Sequence, residues 1–110
     1  MILHICKKSA WQQAQKTGAY CGDTLESEGF IHCSTSEQVV EVANSLFKGM
    51  KDLILLVIDE SKVVSKIKTE DAGNGTLYPH IYGPLNLDAV TATADFPPAP
   101  NGNFILPGLQ

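Results

Sequence analysis

Arginine is absent from this chain. Its planar guanidinium is the usual bidentate clamp for phosphates and carboxylates, so any phosphate site here must rely on lysine or on backbone N–H groups. The basic residues are eight scattered lysines, and the formal net charge is -4. A basic patch supplies most of the affinity of nucleic-acid binders, so this balance argues against nucleic acid as a partner. Cysteine is scarce. Cys6, Cys21 and Cys33 form no CxxC pair and are odd in number, which argues against a disulfide framework and a structural zinc knuckle. A reducing cytoplasm is the simplest setting. Long apolar runs are missing too. The best is Leu53–Ile58, far short of the ~20 residues a membrane span needs, and no basic segment leads into an apolar signal core. A P-loop, a GxGxxG fingerprint and an HExxH helix are all lacking.

What remains is an ordinary globular balance over 110 residues, 44% hydrophobic and 18% charged, which suits one domain spanning 1–110. Residues 2–6 read as an apolar strand. Ser9 is placed to cap a helix running to Lys16 with Gly18 at its end, and Trp11 is its anchor with Ala10 and Ala14. Residues 20–28 read as a loop turned by Gly22 and Asp23, and residues 29–34 as a second strand. Thr35 or Ser36 then caps a helix with Glu37 in its first turn and an apolar stripe through Val39, Ala43, Leu46, Phe47 and Met50. Leu53–Ile58 is continuously apolar, as a strand covered on both faces would be. Residues 63–68 suit an edge strand, and 71–76 (DAGNGT) a loop. Residues 78–84 are extended by their prolines, 87–94 form a strand, and 104–106 a last short one. The order implies an α+β fold, with two helices packed on a split, mostly antiparallel sheet.

The chain has three histidines, His4, His32 and His80, each inside an apolar strand-like word. Period-two alternation puts His32 on one face with Phe30 and Ser34, His80 with Tyr82, and His4 with Ile2 and Cys6. One buried histidine is commonly a core residue with a satisfied hydrogen bond. Three in so small a core are costly unless they are mutually useful. Ser34, Thr35 and Ser36 lead into the second helix, whose N-terminal N–H groups offer an anion site as well as a simple cap. Cys33 faces away from His32, which disfavours a thiolate–imidazole pair. Three histidines with Glu70 could ligate zinc, yet no close ligand pair is present, and no metal is assigned.

The words ILHI, GFIHCST, DLILLVID and YPHIYGPL, with the Trp11-x-x-Ala14 helix between them, closely resemble a bacterial family known as domain of unknown function 952. The likeness covers nearly the whole chain. That family is grouped with proteins of the ADP-ribosyltransferase-like fold. A weaker resemblance is to RNA 2'-phosphotransferases, in which an early histidine, a tryptophan helix and a Gly…His-Val-His-Leu-Ser strand come in the order of His4, Trp11, Gly18 and residues 30–34. The resemblance implies NAD as a substrate, with His4 at the nicotinamide-side ribose, His32 beside it, and His80 as a third group near the reacting centre. Ser34 and Thr35 join His4 in nucleotide binding, and Tyr82 is placed to stack on nicotinamide. The chain departs from these relatives at His4-Ile5, where a His-Gly pair is usual, and in having no arginines to grip an RNA 2'-phosphate. Glu70 is the one glutamate in place to polarise a ribose.

The leading expectation is therefore a histidine-lined, NAD-binding enzyme of the ADP-ribosyltransferase type, whose acceptor the sequence does not identify. The alternative is a non-catalytic nucleotide- or metabolite-binding module on the same fold. A metal-dependent hydrolase and a protein whose histidines only pack are the remaining readings.

Overall fold

The computed structural model describes residues 1–22, 24–71, 73 and 75–108. It is an α+β protein in which, among the described residues, three α-helices accompany three small antiparallel sheets. The elements are β1 (Ile2–Lys7), α1 (Lys8–Thr17), β2 (Ala19–Tyr20), α2 (Leu25–Glu28), β3 (Ile31–His32), α3 (Val39–Leu46), β4 (Leu53–Ile58), β5 (Lys66–Asp71), β6 (Leu77–Tyr82), β7 (Leu85–Asn86) and β8 (Val90–Asp95). The sheets run in the orders β1-β4-β8, β2-β7 and β3-β6-β5. None of the described helices is long and apolar enough to cross a membrane.

The LILLVI word forms β4, the middle strand of the first sheet, and all six residues are buried. Alternation divides them. Ile54, Leu56 and Ile58 enter a core with Ile2, Ala14, Ile31, Cys33 and Ile81. Leu53, Leu55 and Val57 enter a second core with Leu3, Ile5, Val39, Ala43, Phe96 and Phe104. A strand with an apolar core on each face must be apolar throughout. Trp11 packs against the first core, as its helix face requires.

The second strand word is shared between two sheets. Only Ile31 and His32 pair with β6, opposite Ile81 and His80. Two residues later, Ser34 and Leu3 exchange backbone hydrogen bonds of 2.8 Å, which ties this segment to the first sheet. The strand expected over residues 29–34 is therefore shorter, because the chain leaves one sheet to join the other.

Several boundaries differ from the sequence reading. Helix α1 begins at Lys8, with no side-chain cap from Ser9. The Lys8 N–H instead donates to the Asp52 carbonyl at 2.9 Å, so the strand runs directly into the helix. Helix α3 begins at Val39, and its amides at Gln38 and Val39 donate to the Thr35 carbonyl. No side chain caps the helix, so neither Thr35 nor Ser36 takes that role; the Gln38 side chain accepts from the Thr35 N–H at 3.0 Å, ahead of the helix, and Glu37 also precedes it. The helix ends at Leu46, which is 72% exposed; Phe47 and Met50 follow it and pack against the second core. The edge strand is β5, displaced from 63–68 because residues 62–65 are held by side chains. Asn86 bonds Val64 N–H and Lys62 carbonyl, and the Ser65 hydroxyl donates to the Pro84 carbonyl. A 3-10 turn at Leu87–Ala89 delays the last strand to Val90. The loop read over 20–28 contains Tyr20 of β2 and the short α2; its turn residue Asp23, like Ala72 and Asn74 of the DAGNGT loop, lies outside the described residues. Residues 104–106 form no strand: Phe104 is buried and its N–H donates to Asn44 Oδ1 at 2.7 Å, while Ile105 is 75% exposed.

Candidate functional site: an imidazole and aromatic cluster on the third sheet

The register of β3-β6-β5 sets the two faces of the third sheet. Ile31 and Ile67 both lie opposite Ile81, and this row faces the first core. The next row is His32, His80 and Lys68, which must project from the other face. Tyr82 shares that face by alternation along β6, and Glu70 by alternation along β5. Phe30, two residues before His32, completes the cluster.

The rings crowd together. The His32 and His80 centroids are 5.4 Å apart, nearly edge to face. The Phe30 ring stacks on His80 at 4.2 Å and 19°, meets His32 edge-on at 4.8 Å, and is tilted against Tyr82 at 5.3 Å. The ammonium of Lys68 lies 5.2 Å from the Tyr82 ring centre, within cation–π range.

Glu70 organises the hydrogen bonds. Its Oε1 accepts from Nδ1 of His80 at 3.1 Å and from the Tyr82 hydroxyl. The Tyr82 and His80 bonds hold the Glu70 carboxyl below the usual carboxylate range, with the Tyr82 bond the larger cause. Reciprocally, the carboxylate holds the Tyr82 phenol above its usual value. A carboxylate can only accept, so Nδ1 of His80 carries a proton. In the neutral imidazole Nε2 is then an acceptor. His80 is only 3% exposed, and its Nε2 is buried with no hydrogen-bond partner among the described residues. A base oriented by a carboxylate, with its second nitrogen uncommitted, is the arrangement a proton-transfer or ligand-binding site uses. His32 is more exposed and donates from Nε2 to Glu28 Oε1 at 3.2 Å.

The structure brings together two of the three histidines on this face. His4 approaches from the interior, on the Ile2–Cys6 side of β1. Its Nδ1 donates to the His32 carbonyl at 2.5 Å, and its Nε2 accepts from the Tyr20 hydroxyl at 2.7 Å. The carbonyl fixes the tautomer. His4 thus contacts the main chain of the site, through the His32 carbonyl. Ser34 is buried in the bridge to Leu3, and Thr35 is engaged with Gln38. Cys33 lies in the first core, and burial pushes its thiol up to about 12, so it stays protonated at neutral pH. Among the described residues, no three His, Cys, Asp or Glu side chains are grouped to hold a metal ion.

Sequence reasoning places Phe30 on the His32 face without giving it a role, and it passes over Glu28 and Lys68. Lys68 is detectable only by pairing β5 with β6, which needs the register; Glu28 follows from the short turn of α2.

The fold and site define a small α+β protein with a buried, carboxylate-oriented histidine on one sheet face. The chain belongs to the family described as "Protein of unknown function (DUF952)", whose model matches residues 5–93. The crystal structure of protein CC0527 from Caulobacter crescentus is similar at 31% identity and a TM-score of 0.87, covering 96% of this chain and 93% of that one. The crystal structure of a double mutant of CC0527 gives a TM-score of 0.86 at the same identity and coverage. The solution NMR structure of CC0527 gives 0.82, covering 93% of this chain and 89% of that one. A search of the curated proteins found no match.

Proposed function

We propose that the outer face of the β3-β6-β5 sheet binds a nucleotide of the NAD class, and that the protein is an enzyme of the ADP-ribosyltransferase type. One observation carries the reading: the Nε2 atom of the buried His80 lacks a partner among the described residues while Glu70 fixes Nδ1. Leaving a buried acceptor unsatisfied costs ~1–3 kcal/mol, and a ligand hydroxyl or amide that donates to it removes that cost. The surrounding groups suit such a ligand. Phe30 and Tyr82 offer ring surfaces, and Lys68 has no carboxylate partner among the described residues. His80 would hold a ribose hydroxyl or take its proton, and Glu70 would keep the imidazole in the required tautomer. His32 would border the ligand. His4 is assigned a positioning role, through the His32 carbonyl and Tyr20.

A second reading, a non-catalytic nucleotide-binding module, is favoured by the engagement of His4. The resemblance to ADP-ribosyltransferase-like proteins puts that histidine at the ribose, yet both its ring nitrogens hold protein groups here. The test has two stages. NAD at ~100 times its Kd is expected to stabilise the protein by ~2.7 kcal/mol through mass action, visible as a rise in Tm. Release of nicotinamide then separates enzyme from binder. An unchanged Tm with millimolar NAD and ADP-ribose refutes the nucleotide reading.

A further inference from the structure

We infer that His32 and His80 form a binding site for a divalent metal ion of the kind that favours imidazole, zinc above all, held between Nδ1 of His32 and Nε2 of His80. The inference goes beyond the nucleotide reading and does not depend on it.

Strand pairing sets the two rings side by side. The Cys33 N–H donates to the Pro79 carbonyl at 3.0 Å, so residues 33 and 79 are a hydrogen-bonded pair. Antiparallel pairs alternate in kind. His32 and His80, the next pair along, are therefore a non-hydrogen-bonded pair, the kind whose side chains lie closer. Their ring centres are 5.4 Å apart. Two imidazole nitrogens at ~2.0–2.1 Å from one tetrahedral ion hold their ring centres roughly 5 Å apart, so the pair already has the spacing of a chelate.

The nitrogens are prepared alike. A histidine that binds a metal ordinarily donates its other ring N–H to a carboxylate, carbonyl or water, which fixes the tautomer and raises the basicity of the ligating nitrogen. Both rings do so here. Nδ1 of His80 donates to Glu70 at 3.1 Å, and Nε2 of His32 donates to Glu28 at 3.2 Å. Each ring is left with one lone pair, in its own plane, where a metal bonds. Neither Nε2 of His80 nor Nδ1 of His32 has a hydrogen-bond partner among the described residues. A metal–nitrogen bond of ~2.0–2.1 Å needs less room than a hydrogen bond of ~2.7–3.2 Å, which suits a nitrogen as enclosed as Nε2 of His80. The His32 side chain is 46% exposed, so the ion reaches that imidazole from solvent. Glu28 and Glu70 supply two negative charges against the ion's two positive ones, while Lys68, from the same row, holds its ammonium over the Tyr82 ring. No third His, Cys, Asp or Glu side chain is grouped with the pair among the described residues, so water takes the remaining positions. An ion and a nucleotide hydroxyl both claim Nε2 of His80 and exclude one another there.

The experiment titrates chelator-stripped protein with zinc chloride, by calorimetry and by NMR of the histidine ring protons. Cys21, an exposed thiol that would take zinc itself, is replaced throughout by Cys21→Ser. One ion per chain is expected, shifting the ring signals of His32 and His80 together. His32→Gln and His80→Gln are each expected to weaken zinc binding by about 100-fold, as losing one arm of a two-point chelate does. Glu28→Gln is expected to weaken it by about 10-fold through the ligand it orients. Circular dichroism reports whether each variant folds, and His32→Gln, at the exposed position, keeps the test decisive if His80→Gln does not. Zinc that shifts His32 alone, or that binds His32→Gln as tightly as the parent, overturns the inference. So does the absence of binding at millimolar zinc. NAD titration in the presence of chelator reports on the nucleotide reading by itself. NAD binding without zinc binding removes the metal site and leaves that reading intact, and zinc binding without NAD binding does the reverse.

Discussion

Replacing His80 with leucine distinguishes a functional histidine from a structural one. His80 is 3% exposed, and for a core residue so buried a substitution ordinarily costs several kcal/mol. The local balance here is different. Removing the orphaned Nε2 returns ~1–3 kcal/mol. The lost bond to Glu70 subtracts ~1 kcal/mol, because the Glu70 side chain is 39% exposed and water replaces its partner. Losing the ring stack on Phe30 subtracts a further ~0.5–1.5 kcal/mol. Leucine is close to histidine in volume and leaves no cavity. The net change is expected within ~1 kcal/mol of the wild type, against a total stability of ~5–15 kcal/mol for a domain of this size. Leu56→Ala is the contrast. Leu56 is fully buried in the middle strand of the first sheet, and its truncation should cost ~3–5 kcal/mol. Urea unfolding measures both, with the m-value showing whether the unfolding transition is the same. A loss above ~2 kcal/mol for His80→Leu at unchanged m would refute the reasoning and make His80 a packing residue. Loss of NAD binding in a variant of native stability is the outcome the site reading expects.

Three further outcomes follow from the same structure. Native alkylation by iodoacetamide at pH 8 should label Cys21, which is exposed, and spare Cys33, whose thiol burial pushes up to about 12; peptide mass mapping checks this, and rapid labelling of Cys33 would contradict its place in the core. The Glu70 carboxyl is held low in the folded state, so the stability from its bonds is present above the unfolded carboxylate range and disappears as pH falls through the folded value. The Tyr82 phenol is held high, so its share persists below its unfolded value and is lost as pH rises through the folded one. Urea unfolding of wild type and Tyr82→Phe should therefore show a stability gap at pH 7 that narrows toward pH 3, and a gap that does not narrow refutes the coupling. A Cβ at Gly83, where φ is 156, would stand 2.9 Å from Ser65 Cβ and closer still to the Ser65 hydroxyl, so Gly83→Ala should destabilise by ~1–3 kcal/mol. Ser65→Gly in the same chain should recover part of that loss, as a double-mutant cycle would measure.

The layers were legible in the residues alone. A six-residue apolar run fits a strand covered on both faces, and β4 is that strand. Gly18 ended α1 because a left-handed residue was needed there. Alternation alone separated His32 from Cys33, sending one to the outer face and the other to the core. Helix starts were less legible: the Lys8 N–H is met by the Asp52 carbonyl and the amides at Gln38 and Val39 by the Thr35 carbonyl, while neither helix has the side-chain cap that Ser9 and Thr35 were equipped to give. Such partners come from the fold or from a neighbouring turn, and no local preference encodes them.

Where the histidines sit was decided by strand pairing. All three looked equivalent in sequence, each a lone imidazole in an apolar word. Pairing of β3 with β6 placed His32 beside His80, and pairing of β6 with β5 brought Glu70 within reach of His80 and Tyr82. The same packing turned His4 inward to Tyr20 and the His32 carbonyl. Side-chain direction follows from alternation within a strand, but which strands are neighbours, and in what register, depends on contacts between residues far apart in the chain. That pairing leaves one buried imidazole nitrogen without a partner among the described residues, and it singles out His80.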